Sequence, residues 1–291
     1  MTAIHSSYIA LAALLLVGFE ALWRLFARAD GYDFKSAAAS FGVFAGNIAS
    51  KALSAAITTP VYLTCWALAP IQLPIDDWRV WAAGFFVVEF AYYWMHRWSH
   101  EVRWIWATHS VHHSSAAFTF PAALRLGWTG AISGGWLVFA PIILAGFPPL
   151  MAAALLAFNL QYQFILHTEI VGKLGPLEYL FNTPSHHRVH HASNKAYLDR
   201  NFGGVLIIFD RLFGTFAEEN AGEPLKYGLT RPVASNNPFV IAFSEWARMA
   251  ADVAAAKTLR EGVAAMFGRP AAVCLKPISE PTKMEVDMPH A

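Results

Sequence analysis

Residues Gly127 to His167 read GWTGAISGGWLVFAPIILAGFPPLMAAALLAFNLQYQFILH, a mostly apolar stretch broken near its middle by Gly146-Phe147-Pro148-Pro149. One bilayer crossing takes about 20 apolar residues as a helix, and a Gly-Phe-Pro-Pro sequence is a turn signal. The stretch is roughly twice that length. It therefore predicts a helical hairpin that dips through the membrane and returns to the side it left.

The composition agrees. The chain has 291 residues, of which 56% are hydrophobic and 14% charged, and its mean hydropathy is +0.39, too apolar for an ordinary soluble domain. Eleven Trp, nine Tyr and 22 Phe fit the same class, because aromatic rings collect at headgroup level and fill helix interfaces. The run Tyr8–Ala27 reads as a retained first transmembrane helix rather than a signal peptide. No basic residue precedes it, it carries Glu20, and it ends among Arg24 and Arg28 instead of a small-residue cleavage site.

A second span is expected between Lys51 and Ile71, kinked at Pro60; the small-residue stretch Ser36 to Ser50 before it either lies at the interface or extends the helix. A third runs from Val80 to Met95. Asn237 to Phe267 reads as one or two amphipathic helices on the membrane surface, and the tail after Arg269 as disordered. Lys and Arg follow span one (Arg24, Arg28, Lys35), span three (Arg97, Arg103, Arg125) and the hairpin (Lys173, Arg188). The turn between spans two and three has acids and Arg79. Positive residues favour the cytoplasmic side, so the expectation is an all-α, polytopic integral membrane protein with about four to five membrane-embedded segments and a cytoplasmic helical histidine-box domain.

Ten of the twelve histidines lie between positions 96 and 191. HRWSH places His96 and His100 four apart, HSVHH places His109, His112 and His113 at i, i+3 and i+4, and HHRVHH repeats that spacing with His187, His190 and His191. Each set falls on one face of a helix. His167 stands alone at the end of the hairpin, and His186 is a possible further member. Imidazole is the commonest biological metal ligand, and nine rings exceed the needs of one ion, which implies two metals. The scarcity of thiolates and nearby carboxylates points away from iron–sulfur clusters, calcium and magnesium; iron, copper, zinc and nickel all suit imidazole. A pair of irons adds the ability to activate dioxygen, as attack on an inert lipid C–H bond requires. His5 and His290 read as ordinary interfacial residues, and crowding makes a merely structural origin untenable for the three clusters. Glu101, Glu169, Asp199 and Asp210 are candidates to orient imidazoles through their far nitrogens.

Other classes fit less well. A net charge of +1 and the lack of a basic stripe exclude a nucleic-acid partner. Cys65 and Cys274 form no disulfide framework or cysteine zinc site. A metal transporter would place its ligands inside the spans rather than beyond their ends, and no HExxH supports a zinc hydrolase.

The three boxes together resemble the fatty acid hydroxylase and sterol desaturase superfamily. Longer stretches, HRWSHE, WATHSVHHSS, QYQFILHTEIVGKLGPLEYLFNTPSHHRVHHASN, LDRNFGGVLIIFDRLFGTF and YGLTRP, look most like its alkylglycerol monooxygenases. The likeness covers roughly Trp78 to Val233. It implies N-terminal membrane helices over 1–77, a catalytic domain over 78–233 that includes the hairpin, and a C-terminal amphipathic helix and tail over 234–291. It also implies a membrane-bound non-haem di-iron monooxygenase that uses O2 to hydroxylate a C–H bond of an ether lipid, sterol-like lipid or aminolipid, with desaturation as the runner-up. His96, His100, His109, His112, His113, His167, His187, His190 and His191 would hold two iron ions, and Glu101 would either support the ligands from behind or handle protons. No haem-binding His-Pro-Gly-Gly occurs, so electrons are expected from tetrahydrobiopterin or an external carrier.

Overall fold

The computed structural model describes residues 2–27 and 31–270. Arg28, Cys274, His290 and the tail beyond Pro270 lie outside the described residues, as does the side chain of His5. Among the described residues the regular structure is helical, with two isolated bridges, Phe181 to Leu206 and Ala192 to Tyr227.

Helix α1 (Thr2–Ala27) is built inside out. Leu11, Leu14, Leu15, Phe19, Leu22 and Phe26 are exposed, whereas Glu20 is 0% and Arg24 6% exposed. Apolar side chains outward and charges inward is the arrangement that suits a lipid surrounding. Glu20 accepts from Phe120 N (2.7 Å) and Thr168 Oγ1 (2.8 Å), while Arg24 donates to Phe118 O and pairs with Glu169. All four partners lie shortly after the second box or directly after His167 in the chain, so α1 is fastened near the site by its only charges inside the run.

Asp33 caps α2 (Phe34–Leu68), accepting from Ser36 N at 2.9 Å. The small-residue stretch extends this helix, which continues through Pro60 to Leu68. Small side chains are required there by close approach: a Cβ on Gly46 would lie 2.1 Å from the Trp128 ring, and one on Gly42 would lie 2.5 Å from Pro238. Asp77 caps α3 (Trp78–Glu101), which carries the first box in its last turns, and α4 (Arg103–His109) follows after Val102.

The hairpin forms, but its limbs are unequal. The first is broken into α5 (Gly130–Ser133), a 3-10 segment (Gly135–Phe139) and α6 (Ala140–Leu144); Gly134, at φ +77°, interrupts the helical path. The second is one helix, α7 (Pro149–Leu166). At the tip, Gly146 has φ +101° and its carbonyl accepts from Leu73 N (2.9 Å), so the hairpin tip meets the α2–α3 loop. The opposite ends of α3 and α7 carry His96, His100 and His167. Val88, Ala91, Tyr92, Phe139, Ile142 and Ala152 form the core between α3 and the hairpin.

By length and apolar content two helices can cross a membrane, Tyr8–Ala27 and Pro149–Leu166, with Gly135–Leu144 a shorter apolar segment. The third box lies on α8 (Pro184–His191) and is followed by α9 (Ile208–Phe213). The amphipathic region resolves into α10 (Pro238–Ala255) and α11 (Leu259–Phe267). They are tied to α4 by Arg103, which is 1% exposed and donates to Glu245 (2.9 Å) and Ala265 O (3.1 Å).

Candidate metal centre

All nine histidines expected to bind metal converge, and they do so as two adjoining groups. His96, His100, His109, His113 and His190 form one; His112, His167, His187 and His191 form the other, with the donor atoms of each group within 4.8 Å of one another. The i and i+4 members of each box share a group, and the i+3 members cross to the other. Thus His112 leaves His109 and His113, and His190 leaves His187 and His191. The second box is also not one helix face: His109 ends α4, while His112 and His113 lie on a 3-10 turn. The groups touch, with the His113 and His191 rings stacked at 4.3 Å.

Backbone carbonyls set the ring orientations. His96 Nδ1 donates to Phe202 O (2.8 Å), His167 Nδ1 to Gln163 O (2.8 Å) and His190 Nδ1 to Arg200 O (2.9 Å). A carbonyl only accepts, so in these three rings Nδ1 carries the proton and Nε2 presents a bare lone pair. These lone pairs face other imidazoles. His96 Nε2 lies 3.0 Å from His109 Nε2, and His167 Nε2 lies 3.2 Å from His112 Nε2 and 3.1 Å from His187 Nε2. Ligands about 2.1 Å from one ion and at right angles to each other would be about 3.0 Å apart. Buried nitrogens of His100, His187, His190 and His191 have no hydrogen-bond partner. The donor set therefore fits two imidazole-bound transition-metal ions.

Burial also favours the neutral form in eight of these rings, as ligation requires. It pushes His167 down to about 4 and holds His96, His109, His112, His113, His187, His190 and His191 well below the usual imidazole range, with neighbouring rings adding to the shift in these seven. Phe118 stacks on His167 at 5.5 Å and Phe202 lies 5.2 Å from His100, so aromatic walls close two sides.

The other expected residues stand apart. His186 is buried beside Phe216 (5.3 Å) and faces Glu178 at 3.9 Å, outside both groups. Glu101 pairs with Arg97 and Arg269, each at 3.2 Å. Of the four acids considered for orienting imidazoles, Asp199 reaches one, 3.6 Å from His100 Nδ1. Asp210 instead holds the backbone that orients His96: it accepts from Phe202 N and Gly203 N, both at 2.7 Å. Glu169 pairs with Arg24. A cavity of about 400 Å³ opens on His100, His113, His190 and His191, with Trp106 and Leu229 on its wall and Arg231, Arg248 and Arg269 also lining it.

Two buried residues were not expected at the site. Glu89 and Asn159 link α3, α7 and the 200–207 segment. The available signal was an ionisable residue inside an apolar helix, which is costly unless it is used.

Residues 81–215 match the sequence profile of the fatty acid hydroxylase family. The chain is similar to alkylglycerol monooxygenase of Homo sapiens, with 46% identity over 172 residues, covering 59% of this chain and 38% of the relative. The Danio rerio alkylglycerol monooxygenase is 45% identical over 60% of this chain and 38% of its own length. The ornithine lipid hydroxylase OlsE of Rhizobium tropici is 27% identical over 79% of this chain and 71% of its own length. This chain thus spans well under half the length of the alkylglycerol monooxygenases it matches. No solved structure matches.

Proposed function

We propose that this chain is a membrane-bound lipid hydroxylase whose two histidine groups hold two iron ions. The division of nine imidazoles, most of them buried, into adjoining groups of five and four carries this reading. The bound irons would supply dioxygen activation. In the net reaction one oxygen atom enters a lipid C–H bond as hydroxyl and the other leaves as water, with two electrons from tetrahydrobiopterin or a separate carrier and two protons from solvent.

The chain's own residues prepare that chemistry. Phe202, Gln163 and Arg200 carbonyls hold three imidazoles at fixed angles, and Phe118 and Phe202 limit water beside the reacting position. The 400 Å³ cavity would admit the lipid carbon to the five-histidine side. Glu101 is proposed to act through Arg269, one of the cavity-lining residues, with proton handling as its further role. The named relatives support an ether lipid or an aminolipid as substrate. Hydroxylation beside an ether oxygen would give a hemiacetal that breaks down to an aldehyde.

The proposed topology is multi-pass, with four to five embedded segments and the histidines on the cytoplasmic face. Residues 78–233 are assigned as the catalytic unit, with membrane helices over 1–77 and the amphipathic C-terminal region over 234–291. The lipid-facing α1 and the convergence of the α3 and α7 ends on the histidines support this arrangement.

The test combines metal content with labelled oxygen. Purified wild-type protein is expected to hold two irons per chain, His112→Ala to lose the ion of the four-histidine group, and His190→Ala that of the five-histidine group. Incubation with 18O2, a reductant and ether or ornithine lipids should place one labelled atom in the alcohol or its breakdown aldehyde. An unlabelled alkene would establish desaturation instead. One zinc per chain with no oxygen uptake would refute the reading and favour hydrolysis.

A further inference from the structure

We propose that Glu89 is a positioning residue that holds ligands of both histidine groups in register, an inference that rests on the two-metal reading above. Glu89 lies in α3, is 1% exposed, and has no cationic partner in its hydrogen-bond set. Oε1 accepts from Asn159 Nδ2, and Oε2 accepts from Val205 N (2.8 Å) and Leu206 N (3.0 Å). A buried carboxylate is costly in an apolar helix, and three donors are the compensation this one has.

The backbone donors lead to one group and the Asn159 amide to the other. Val205 and Leu206 belong to the segment whose Arg200 and Phe202 carbonyls orient His190 and His96, both in the five-histidine group. Asp210 grips the same segment at Phe202 and Gly203, so Glu89 fixes its second half and Asp210 its first. Asn159 leads the other way. It sits on α7 one turn before Gln163, whose Nε2 donates to Asn159 Oδ1 (2.6 Å) and whose backbone carbonyl orients His167 of the four-histidine group. Tyr92, one turn beyond Glu89 on α3, closes the loop by donating to Gln163 Oε1 (3.0 Å).

The junction is tight as well as bonded. A Cβ on Gly204 would lie 1.9 Å from Asn159 Nδ2, so only glycine lets the 200–207 segment approach α7 at this point. One carboxylate therefore joins the segment behind His96 and His190 to the helix behind His167. The α8 helix and the His112–His113 turn already carry ligands of both groups, and Glu89 adds to them the one side chain in these hydrogen bonds that reaches both supporting arms.

The polarity of the chain predicts which variants matter. In Glu89→Gln the new amide can donate to Asn159 Oδ1 if Asn159 and Gln163 both flip, with Gln163 then donating to the Tyr92 hydroxyl; the remaining oxygen still accepts from Val205 N and Leu206 N. Shape and connections survive. Glu89→Ala cuts both arms, and Asn159→Leu cuts the arm to His167 while leaving the backbone bonds at Val205 and Leu206; Gly204→Ala forces the 200–207 segment and α7 apart at their contact.

The experiment strips the purified full chain of metal, reloads it with Co2+, and records metal per chain, affinity at each group and the visible ligand-field spectrum, alongside the melting midpoint of the metal-free protein. Wild type and Glu89→Gln should hold two ions. Glu89→Ala should weaken both groups by about ten- to a hundredfold, the usual effect of losing a residue that orients ligands. Asn159→Leu should weaken the four-histidine group selectively and alter its share of the spectrum, and Gly204→Ala, which parts the two arms at their contact, should weaken both groups. Should Glu89→Ala not fold, these two variants decide the matter. Wild-type affinity at both groups in both variants, or equal loss from both groups in Asn159→Leu, would overturn the proposal. A wild-type chain holding fewer than two ions would instead overturn the two-metal reading beneath it.

Discussion

Acid should destabilise the metal-free protein through its histidines, and the size of the effect follows from burial. His167 is held near 4, against an ordinary value of 6.5, because its ring is buried. Between those values the unfolded chain binds a proton that the folded chain refuses, so stability is intact above about pH 6.5 and falls as pH drops towards 4. A shift of about 2.5 pKa units at about 1.36 kcal/mol each gives about 3 kcal/mol from this ring. Seven other rings shift in the same direction. Asp210 opposes them: burial raises it to about 6, so the fold gains from its protonation as pH falls below that point. Its shift from the ordinary 3.8 is worth about 3 kcal/mol, enough to offset one histidine but not the set. The assay is the melting midpoint of metal-stripped and iron-loaded protein in the same detergent from pH 7.5 to 4.5. The stripped form should lose midpoint steadily below pH 6.5, and the loaded form should hold to lower pH because bound metal competes with protons. A stripped protein whose midpoint is flat or rises between pH 7 and 5 would refute the account of neutral, buried ligands.

Two substitutions test the supports around the site. Arg103→Met leaves Glu245 with the more distant Arg248 (3.7 Å) as its cationic partner, also removes the pair with Asp252, and should cost about 3 kcal/mol, read as a lowered midpoint; adding Glu245→Leu should recover part of it. Glu20→Leu orphans Phe120 N and Thr168 Oγ1, at about 1–3 kcal/mol each, and should loosen α1 from the hairpin end, seen as faster proteolysis between residues 31 and 35. An unchanged midpoint in the first variant, or wild-type proteolysis in the second, would show that these contacts do not hold the site together.

Periodicity and composition exposed the helical class, the hairpin with its Gly146 tip, and the nine histidines, because each depends on local chemistry: apolar length, a turn signal, and repeated helical spacing. The same local view left the Ser36–Ser50 stretch open between interface and helix. Its small residues answer to Trp128 and Pro238, which arrive from far along the chain. It also looked to carboxylates to orient the rings, whereas backbone carbonyls of Phe202, Gln163 and Arg200 do so, and a carbonyl leaves no mark in a sequence.

Helical spacing by itself gathered the histidines into boxes, and their number pointed to more than one ion. Only the tertiary structure decided the allocation of five and four, with His112 and His190 exchanged between groups. The physical reason is geometric. Rings at i and i+4 point the same way along a helix, while a ring at i+3 is rotated about 60° from the first, and which neighbour it meets is set by how α3, α4, α7 and α8 come together.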